Sequence, residues 1–276
     1  GKLVFVPFLN KPPCNRRKPK GLHGQLRAYY AGSGALRWSK TIGPSESSPV
    51  VANGTVYTAD WNGRVWAFRA SSGRLRWVTK LRGQVKAAPA LSGNRLYVGD
   101  YSGRLYALDA RTGKVLWQSL SQARLGGRGQ FYSTPAAAYG RVYVGSTDGK
   151  VYSYGATTGK LRWSHSTGGY VYSSPAVWKQ RIYAGSYSKR FYCLDAATGD
   201  VKWSFEANGE ISGSPTLVDG IVYFATLKER TYALDARTGK RVWTYPDGKY
   251  SPVVADRERL YLIGRARVYG MVEAKS

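Results

Sequence analysis

The stretch GRLYALDARTGKVLW, residues 103–117, has the pattern of two short β-strands joined by a turn. Leu105 and Ala107 alternate with Tyr106 and Leu108, the tetrapeptide RTGK interrupts the pattern, and a second short run ends on Trp117. A single hairpin of this size is marginally stable in water, so it needs partners. Close variants supply them elsewhere in the chain, at residues 63–77, 149–163, 189–203 and 229–243.

The recurrence has a fixed period. A tryptophan closes each variant, at Trp38, Trp77, Trp117, Trp163, Trp203 and Trp243, with spacings of 39, 40, 46, 40 and 40 residues. A proline series runs in parallel, at Pro49, Pro89, Pro135, Pro175, Pro215 and Pro252. A constant period near 40 residues indicates one supersecondary unit repeated along the chain.

Each unit contains four predicted strands. Strand A (SPVVA, 48–52) leads through the turn Asn53–Gly54, a strong hairpin signal, to strand B (TVYTA, 55–59). A second turn leads to strand C, and a turn of the TGK type leads to strand D, which ends near the tryptophan. Four antiparallel strands every 40 residues are typical of a β-propeller blade, whereas a β-sandwich imposes no such period. We therefore predict an all-β propeller with almost no helix, and assign the tryptophans a structural role as filler between blades.

Seven blades are represented, at about 1–47, 48–87, 88–133, 134–173, 174–213, 214–250 and 251–276 (repeats 1 to 7). Repeat 1 lacks strand A and repeat 7 lacks strand D. We expect a single domain over 1–276, either seven-bladed or an eight-bladed ring truncated within a blade. The chain starts at Gly1, shows no signal peptide and has no apolar run near the roughly 18 residues of a membrane span. We interpret it as a trimmed product whose targeting signal is missing.

The composition is strongly basic. The chain of 276 residues has 42 Lys and Arg against 16 Asp and Glu, a net charge of +26. Such a charge favours polyanionic partners, although a general basic bias without a dedicated site has equal weight. Nucleic acid is possible on charge alone, but no nucleic-acid-binding motif favours it. The two cysteines, Cys14 and Cys193, do not form a disulfide framework; Cys193 is predicted to be buried.

The phrase LYALDARTGKVLW, with SPAV and RVYVGS before strand C, resembles the pyrroloquinoline quinone (PQQ) repeat over residues 2–275. Similar repeats form quinoprotein dehydrogenases, the lipoprotein subunit of the machine that assembles outer-membrane proteins, and sensor domains of bacterial membrane kinases. The resemblance implies a propeller outside the cytoplasm: secreted, periplasmic or in the cell envelope. The resemblance does not identify a function, because proteins with this fold have several different functions.

A quinoprotein dehydrogenase would need Ca²⁺ held by carboxylate and amide oxygens, and a carboxylate base. The resemblance further implies a vicinal cysteine pair stacked on the cofactor, which this chain lacks. His23 and His165 have no metal-ligand spacing, and His165 is predicted to lie at the surface in a D–A connection. We expect no catalytic, metal or cofactor site; PQQ with Ca²⁺ belongs only to the alternative, a dehydrogenase or a degenerate relative.

Two insertions interrupt the repeat, at 9–24 in the B–C turn of repeat 1 and at 121–133 in a D–A connection. Strand direction alternates within a blade, so B–C turns and D–A connections emerge on the same face, which is basic and aromatic. We predict that this face of a monomeric, non-catalytic scaffold binds a protein or an anionic or glycan polymer. The predicted contact residues are Arg16, Arg17, Lys18, Lys20, Trp61, Tyr101, Arg124, Arg128, Phe131, Tyr132, Tyr170, Tyr172 and Tyr187.

Overall fold

The computed structural model describes residues 2–9, 23–124, 127–250, 253–256 and 259–271. All regular secondary structure in these ranges is β-strand. No helix in the described ranges has the length and apolar character needed to cross a membrane. The all-β class predicted from the repeat is therefore confirmed.

Contacts along the chain divide it into two compact units, Gly1–Pro135 (unit 1) and Ala136–Ser276 (unit 2). The expectation of a single domain over 1–276 stays a prediction, and each unit is described by itself.

Unit 1 contains the first three repeats and a short ribbon. Its strands are β1 (Leu3–Phe8), β2 (Gly24–Tyr30), β3 (Leu36–Ile42), β4 (Val50–Ala52), β5 (Thr55–Ala59), β6 (Arg64–Arg69), β7 (Leu75–Lys80), β8 (Ala90–Ser92), β9 (Arg95–Gly99), β10 (Arg104–Asp109), β11 (Val115–Leu120), β12 (Ala123–Arg124) and β13 (Gly127–Arg128). They form a three-stranded sheet β1–β2–β3, two four-stranded sheets, β4 to β7 and β8 to β11, and the ribbon β12–β13. All pairings are antiparallel.

Unit 2 contains the remaining repeats. Its strands are β14 (Ala136–Ala138), β15 (Arg141–Gly145), β16 (Lys150–Gly155), β17 (Leu161–Ser166), β18 (Ala176–Trp178), β19 (Arg181–Gly185), β20 (Arg190–Asp195), β21 (Val201–Glu206), β22 (Thr216–Val218), β23 (Ile221–Thr226), β24 (Arg230–Asp235), β25 (Arg241–Tyr245), β26 (Val253–Ala255), β27 (Leu260–Ile263) and β28 (Val268–Met271). They form three four-stranded sheets and a final three-stranded sheet, β26–β27–β28. Within the described residues, repeat 1 thus has strands B, C and D, and repeat 7 has A, B and C, as predicted.

The inner strand B of each complete blade, in repeats 2 to 6, is buried on both faces. All five residues of β5 are buried, and β9 and β15 are buried except at their first residue. Adjacent repeats in a unit cover both faces of these strands, which explains why their sequence is apolar at successive positions rather than at alternate ones. The outer strand β7 differs, since Trp77 is buried while its two neighbours in the strand are exposed.

A β-bulge interrupts the C–D pairing in every complete blade. In repeat 2, Ala67 pairs with Trp77 and Phe68 pairs with Leu75, so Arg76 is the extra residue. Equivalent shifts follow Ala28, Ala107, Ser153, Cys193 and Ala233. The exposed residue before each tryptophan therefore occupies a bulge on an edge strand, which opposes edge-to-edge pairing with other chains. At four of these six positions it is Lys or Arg, which adds charge to the edge, whereas Leu116 and Val242 add none.

The tryptophan of one repeat docks on the C–D turn of the next. The indole N–H of Trp38 donates to the Ala70 carbonyl at 2.8 Å, and that of Trp77 donates to the Ala110 carbonyl at 3.0 Å. Two further bonds of this kind lie in unit 2, from Trp163 to Ala196 and from Trp203 to Ala236. The ring covers the glycine of the TGK-type turn, where a Cβ on Gly113 would lie 2.6 Å from Trp77. The tryptophan and the turn glycine recur together because they contact each other.

Candidate binding surface

B–C turns and D–A connections meet through the backbone. In unit 1 the Trp61 amide donates to the Pro44 carbonyl at 2.8 Å, and the Tyr101 amide donates to Gln84 at 2.9 Å. In unit 2 the same bond joins Tyr187 to Tyr170 and Leu227 to Glu210. Each bond ties a B–C turn to the connection that enters the same repeat. We call the surface formed by these turns and connections the B–C surface of its unit.

A cation and three aromatic rings come together on the B–C surface of unit 1. The Lys86 ammonium lies 4.6 Å from the centroid of the Trp61 ring and 5.0 Å from that of Tyr101. The Tyr101 ring is in turn 5.9 Å from the Tyr132 ring. Glu46 is the acidic neighbour, with its carboxylate 4.0 Å from the Lys86 ammonium. An ammonium between two ring faces is a favourable cation–π arrangement, and the half-buried rings leave part of their area to a partner.

Lys86 was not among the residues predicted from the sequence. It lies three residues before Pro89, the position that carries Glu46, Tyr132, Tyr172 and Ser212 in other repeats. That position varies in charge and size while its neighbours remain small or apolar. This variation at one repeat position, between neighbours that stay small or apolar, was the signal that could have identified Lys86.

Unit 2 brings three tyrosines together on its own B–C surface. The Tyr172 ring lies 5.0 Å from Tyr187 and 5.9 Å from Tyr170, and the Tyr170 and Tyr187 rings are 6.1 Å apart. Tyr170 is the most open of them, at 53% exposed. The Tyr187 hydroxyl donates to the Ser212 hydroxyl at 3.4 Å. Burial, together with the neighbouring phenols, raises the pKa of Tyr172, so this phenol is neutral at physiological pH.

Phe131 is not available to a partner, which corrects its assignment as a contact residue. Its side chain is fully buried and lies against Gly99, where an added Cβ would be 2.5 Å from the Phe131 Cβ. Its amide donates to the Asp100 carbonyl. Three residues in other repeats occupy the same position and make the same kind of backbone bond, namely Val85, Val171 and Ile211. Phe131 is therefore a core residue inside the second insertion.

The structure describes only some of the remaining predicted contact residues. Arg128 is exposed, and its guanidinium donates to the Ser121 carbonyl. The backbone of Arg124 pairs in the β12–β13 ribbon, but its side chain lies outside what the structure describes. Arg16, Arg17, Lys18 and Lys20, together with Cys14, also lie outside the described residues. The basic part of the first insertion thus stays a prediction.

The excess positive charge is concentrated in unit 1. That unit has 22 Lys and Arg against 4 Asp and Glu, whereas unit 2 has 20 against 12, giving net charges of +18 and +8. Two of the four acids in unit 1, Asp60 and Asp100, are fully buried. Apart from these two buried side chains, the charged residues of unit 1 are 22 Lys and Arg against Glu46 and Asp109.

The two buried carboxylates are structural, and the sequence did not single them out. Asp60 accepts hydrogen bonds from the Gly43 amide at 2.9 Å, the Arg64 amide at 3.0 Å and the Trp66 indole at 2.8 Å. Asp100 accepts bonds from the Gly83, Ser102 and Arg104 amides and from the Ser102 and Tyr106 hydroxyls. Each carboxylate binds the B–C turn that follows strand B to the preceding D–A connection.

These residues do not fit a quinone–Ca²⁺ centre. Such a centre needs several carboxylate or amide oxygens directed at one point. Among the described residues, no three His, Cys, Asp or Glu side chains converge on such a point. The oxygens of Asp60 and Asp100 already accept bonds from this chain's own donors. The described part of the chain therefore supports no reaction step through that group.

Two other titratable groups lie in unit 2. His165 lies within β17 rather than in a connection, which corrects that part of its assignment; it is partly exposed on this outer strand, and its ring is 5.5 Å from Tyr192. Burial lowers the pKa of His165 and raises that of the Cys193 thiol to about 11. Cys193 is fully buried, as predicted. Cys193 thus belongs to the core of unit 2 as an uncharged thiol at neutral pH, whereas His165 lies at the edge of that core.

Known proteins share this architecture. The BamB from Moraxella catarrhalis matches with a TM-score of 0.75 at 20% identity, over 93% of this chain and 83% of that one. The computationally designed Ika8 protein gives a TM-score of 0.76 at 15% identity, over 89% and 77% of the two chains. Quinohemoprotein alcohol dehydrogenase ADHIIG from Pseudomonas putida HK5 gives 0.68 at 17% identity over 79% of this chain, which spans only 50% of that enzyme. At these identities the likeness establishes the fold alone.

A search of curated protein sequences finds no significant match. The family model described as "Outer membrane protein assembly factor BamB" matches residues 22–169 and 167–271. The PQQ-repeat resemblance drawn from the LYALDARTGKVLW phrase is thereby confirmed, and the chain belongs to this family of β-propellers.

Proposed function

We propose that this chain is a non-catalytic binding scaffold that recognises an acidic segment of a partner protein through the B–C surface of unit 1. The observation that carries the proposal is the position of Lys86 between the rings of Trp61 and Tyr101. A cation flanked by aromatic rings binds a carboxylate and an apolar side chain at adjacent points, a combination that peptides provide.

The charge distribution supports the same partner. The net charge of +18 in unit 1 attracts an anionic segment over long range, and the rings then give contact area. The family description names an assembly factor, a role that requires binding to proteins. It also names the outer membrane, which supports a location outside the cytoplasm. Glycan and nucleic-acid partners are the alternatives that the experiment must separate.

The experiment compares three labelled probes of matched length and charge: a peptide of alternating Glu and Phe, a polygalacturonate and an oligo-dT. Binding of each is measured by fluorescence anisotropy at several salt concentrations. We expect the peptide to bind most tightly, since only it offers both carboxylates and side chains that pack on the rings. Affinity should fall with ionic strength, because exposed charges are screened.

The test variant is Lys86→Gln, and the matched control is Lys114→Gln, which removes one charge from the C–D turn of the same unit. Lys86→Gln should weaken peptide binding about fivefold, consistent with about 1 kcal/mol for a cation–π site, and the control should change it little. Equal effects of the two variants would mean that net charge alone drives binding. If oligo-dT or polygalacturonate binds most tightly, the proposal of an acidic protein segment is wrong, and the partner is a nucleic acid or a glycan.

A further inference from the structure

A cleft of about 190 Å³ opens on the opposite side of unit 1, between the A–B hairpins of repeats 2 and 3 and the C–D turn of repeat 3. Thr55 and Tyr57 line it together with Leu91, and Arg76 and Arg111 also belong to its lining. Thr55 and Tyr57 are only 4% and 5% exposed, so the cleft reaches into the interface between two blades. We call it the Thr55 cleft. The B–C surface does not include it.

The repeat itself shows why the cleft is there. Thr55 is the first residue of strand B in repeat 2, and the same position carries Arg95, Arg141 and Arg181 in repeats 3 to 5. In repeat 5 the Arg181 guanidinium crosses to the next blade and donates to the carbonyls of Ala236 and Arg237. Thr55 is too short to make that crossing. The space that an arginine side chain fills in repeat 5 is left open in repeat 2.

The charge around this position is also reversed. In repeat 5, Arg181 pairs across the sheet with Asp195, so the position combines a cation with an anion. In repeat 2, Thr55 pairs with Arg69 instead. Residues directly opposite on antiparallel strands share a face, so a cation stands where repeat 5 has a carboxylate. The cleft lining itself contains two cations, Arg76 and Arg111, and no acid, so its charge favours an anion.

The lining of the cleft offers hydrogen-bond donors for such an anion. Neither Arg76 nor Arg111 makes an ion pair with any acid in the described part of the chain. Asp109, two positions before Arg111 in the chain, is already engaged: one oxygen accepts from the Asn94 amide at 2.8 Å, and the other accepts from the turn that follows. Guanidinium groups bind carboxylates and phosphates through two parallel hydrogen bonds, which a single ammonium cannot do.

We propose that the Thr55 cleft is a second binding site, for a small oxyanion that carries a carboxylate or a phosphate group. Arg76 and Arg111 bind the anionic group, and Thr55 with Tyr57 forms the floor. The carboxylate could belong to an acidic sugar or the phosphate could be free in solution, and the choice of probes separates these sources.

The experiment titrates the full chain with inorganic phosphate, glucuronate and glucose, and follows the side-chain amide NMR signals of Asn53 and Asn94. Both anions, or one of them, should shift these signals in a saturable way, while neutral glucose should not. Saturation by phosphate alone or by glucuronate alone identifies the source. Equal shifts with glucose, or no saturation by either anion at about 10 mM, would overturn the proposal.

The matched variants are Arg76→Gln and Arg162→Gln. The two arginines precede Trp77 and Trp163 in equivalent bulges, but repeat 4 carries Arg141 where repeat 2 has Thr55. Arg76→Gln should weaken binding about tenfold, the value of one charge-assisted pair, and Arg162→Gln should leave it unchanged. Equal effects of the two variants would contradict the proposal.

A third variant, Thr55→Arg, fills the cleft as Arg181 does in repeat 5. It should abolish binding while the circular dichroism spectrum stays that of the parent protein. If the folded Thr55→Arg variant binds the anion as tightly as the parent protein does, the anion binds outside the Thr55 cleft and the proposal is refuted. If this variant does not fold, the Arg76 and Arg162 pair still decides the question.

Discussion

The contact between the strand-D tryptophan and the next C–D turn makes a quantitative prediction for Gly113→Ala. Gly113 has φ +76°, and an added Cβ would lie 2.6 Å from Trp77 and 2.7 Å from the Thr79 hydroxyl. The left-handed backbone alone should cost about 1 kcal/mol for alanine. The collision with a ring that is 8% exposed and hydrogen-bonded to Ala110 adds about 2 kcal/mol, because the ring cannot move without losing that bond.

Gly54→Ala is the matched control in the same unit. Gly54 has φ +68°, and an added Cβ would meet nothing within 4 Å. It should therefore show the backbone cost of about 1 kcal/mol without the collision. Unit 2 offers an independent replicate in Gly199→Ala, against the ring of Trp163, with Gly140→Ala as its control.

The assay is urea unfolding followed by tryptophan fluorescence, with the free energy of unfolding taken at constant m-value. We expect Gly113→Ala to lose about 2 kcal/mol more than Gly54→Ala, and Gly199→Ala to exceed Gly140→Ala by a similar margin. A difference below about 0.5 kcal/mol in both pairs would refute the reasoning. It would mean that the turn moves away from the ring at little cost, so that the tryptophan does not impose the glycine.

Two further predictions concern titratable groups. The Thr112 hydroxyl and neighbouring amides donate to Asp109 and lower its pKa below the usual 3.8, so its folded pKa lies below its unfolded one. The contribution of Asp109 to stability is then complete above the unfolded pKa and is lost as pH falls through the folded pKa. Replacing it by Asn in Asp109→Asn should therefore make the free energy of unfolding, measured by urea titration, fall less steeply below about pH 4. An unchanged pH profile in the variant would contradict this explanation. The buried Cys193 thiol, with its pKa raised to about 11, should resist iodoacetamide at pH 8 in the folded protein and react in urea. Mass spectrometry of the Cys193 peptide measures this, and rapid labelling without urea would refute the burial.

Much of the fold could be predicted from the sequence because its information is local. Turn signals such as Asn53–Gly54 and the alternation in 103–117 depend on residues adjacent in the chain. The 40-residue period then predicted five complete blades with an incomplete one at each end of the chain, and the strand orders agree. The same topology predicted that Trp61, Tyr101 and Tyr132 would lie on one face, and the structure brings these three near one another.

The errors have one physical source. Phe131 lies inside an insertion that contains Arg124 and Arg128 and has the composition of an exposed binding loop, yet it is fully buried against Gly99, more than 30 positions earlier in the chain. His165 was placed in a connection because strand D was expected to end near Trp163, whereas β17 continues to Ser166. In both cases the environment of a side chain depends on an adjacent strand or repeat, which local patterns do not describe.

By itself, the sequence determined the strand content, the order of strands within each repeat and the structural role of the recurring tryptophans, since turn signals and period-two patterns act over a few residues. Only the tertiary structure decided which side chains are enclosed. It placed Lys86 between two rings, buried Asp60 and Asp100, and left the Thr55 cleft open where other repeats carry an arginine. These features depend on residues that lie well apart in the chain, such as Lys86 and Tyr101, 15 positions apart, or Asp60 and Gly43, 17 positions apart. Their free energy comes from packing and charge between repeats, which the pattern within one repeat does not describe.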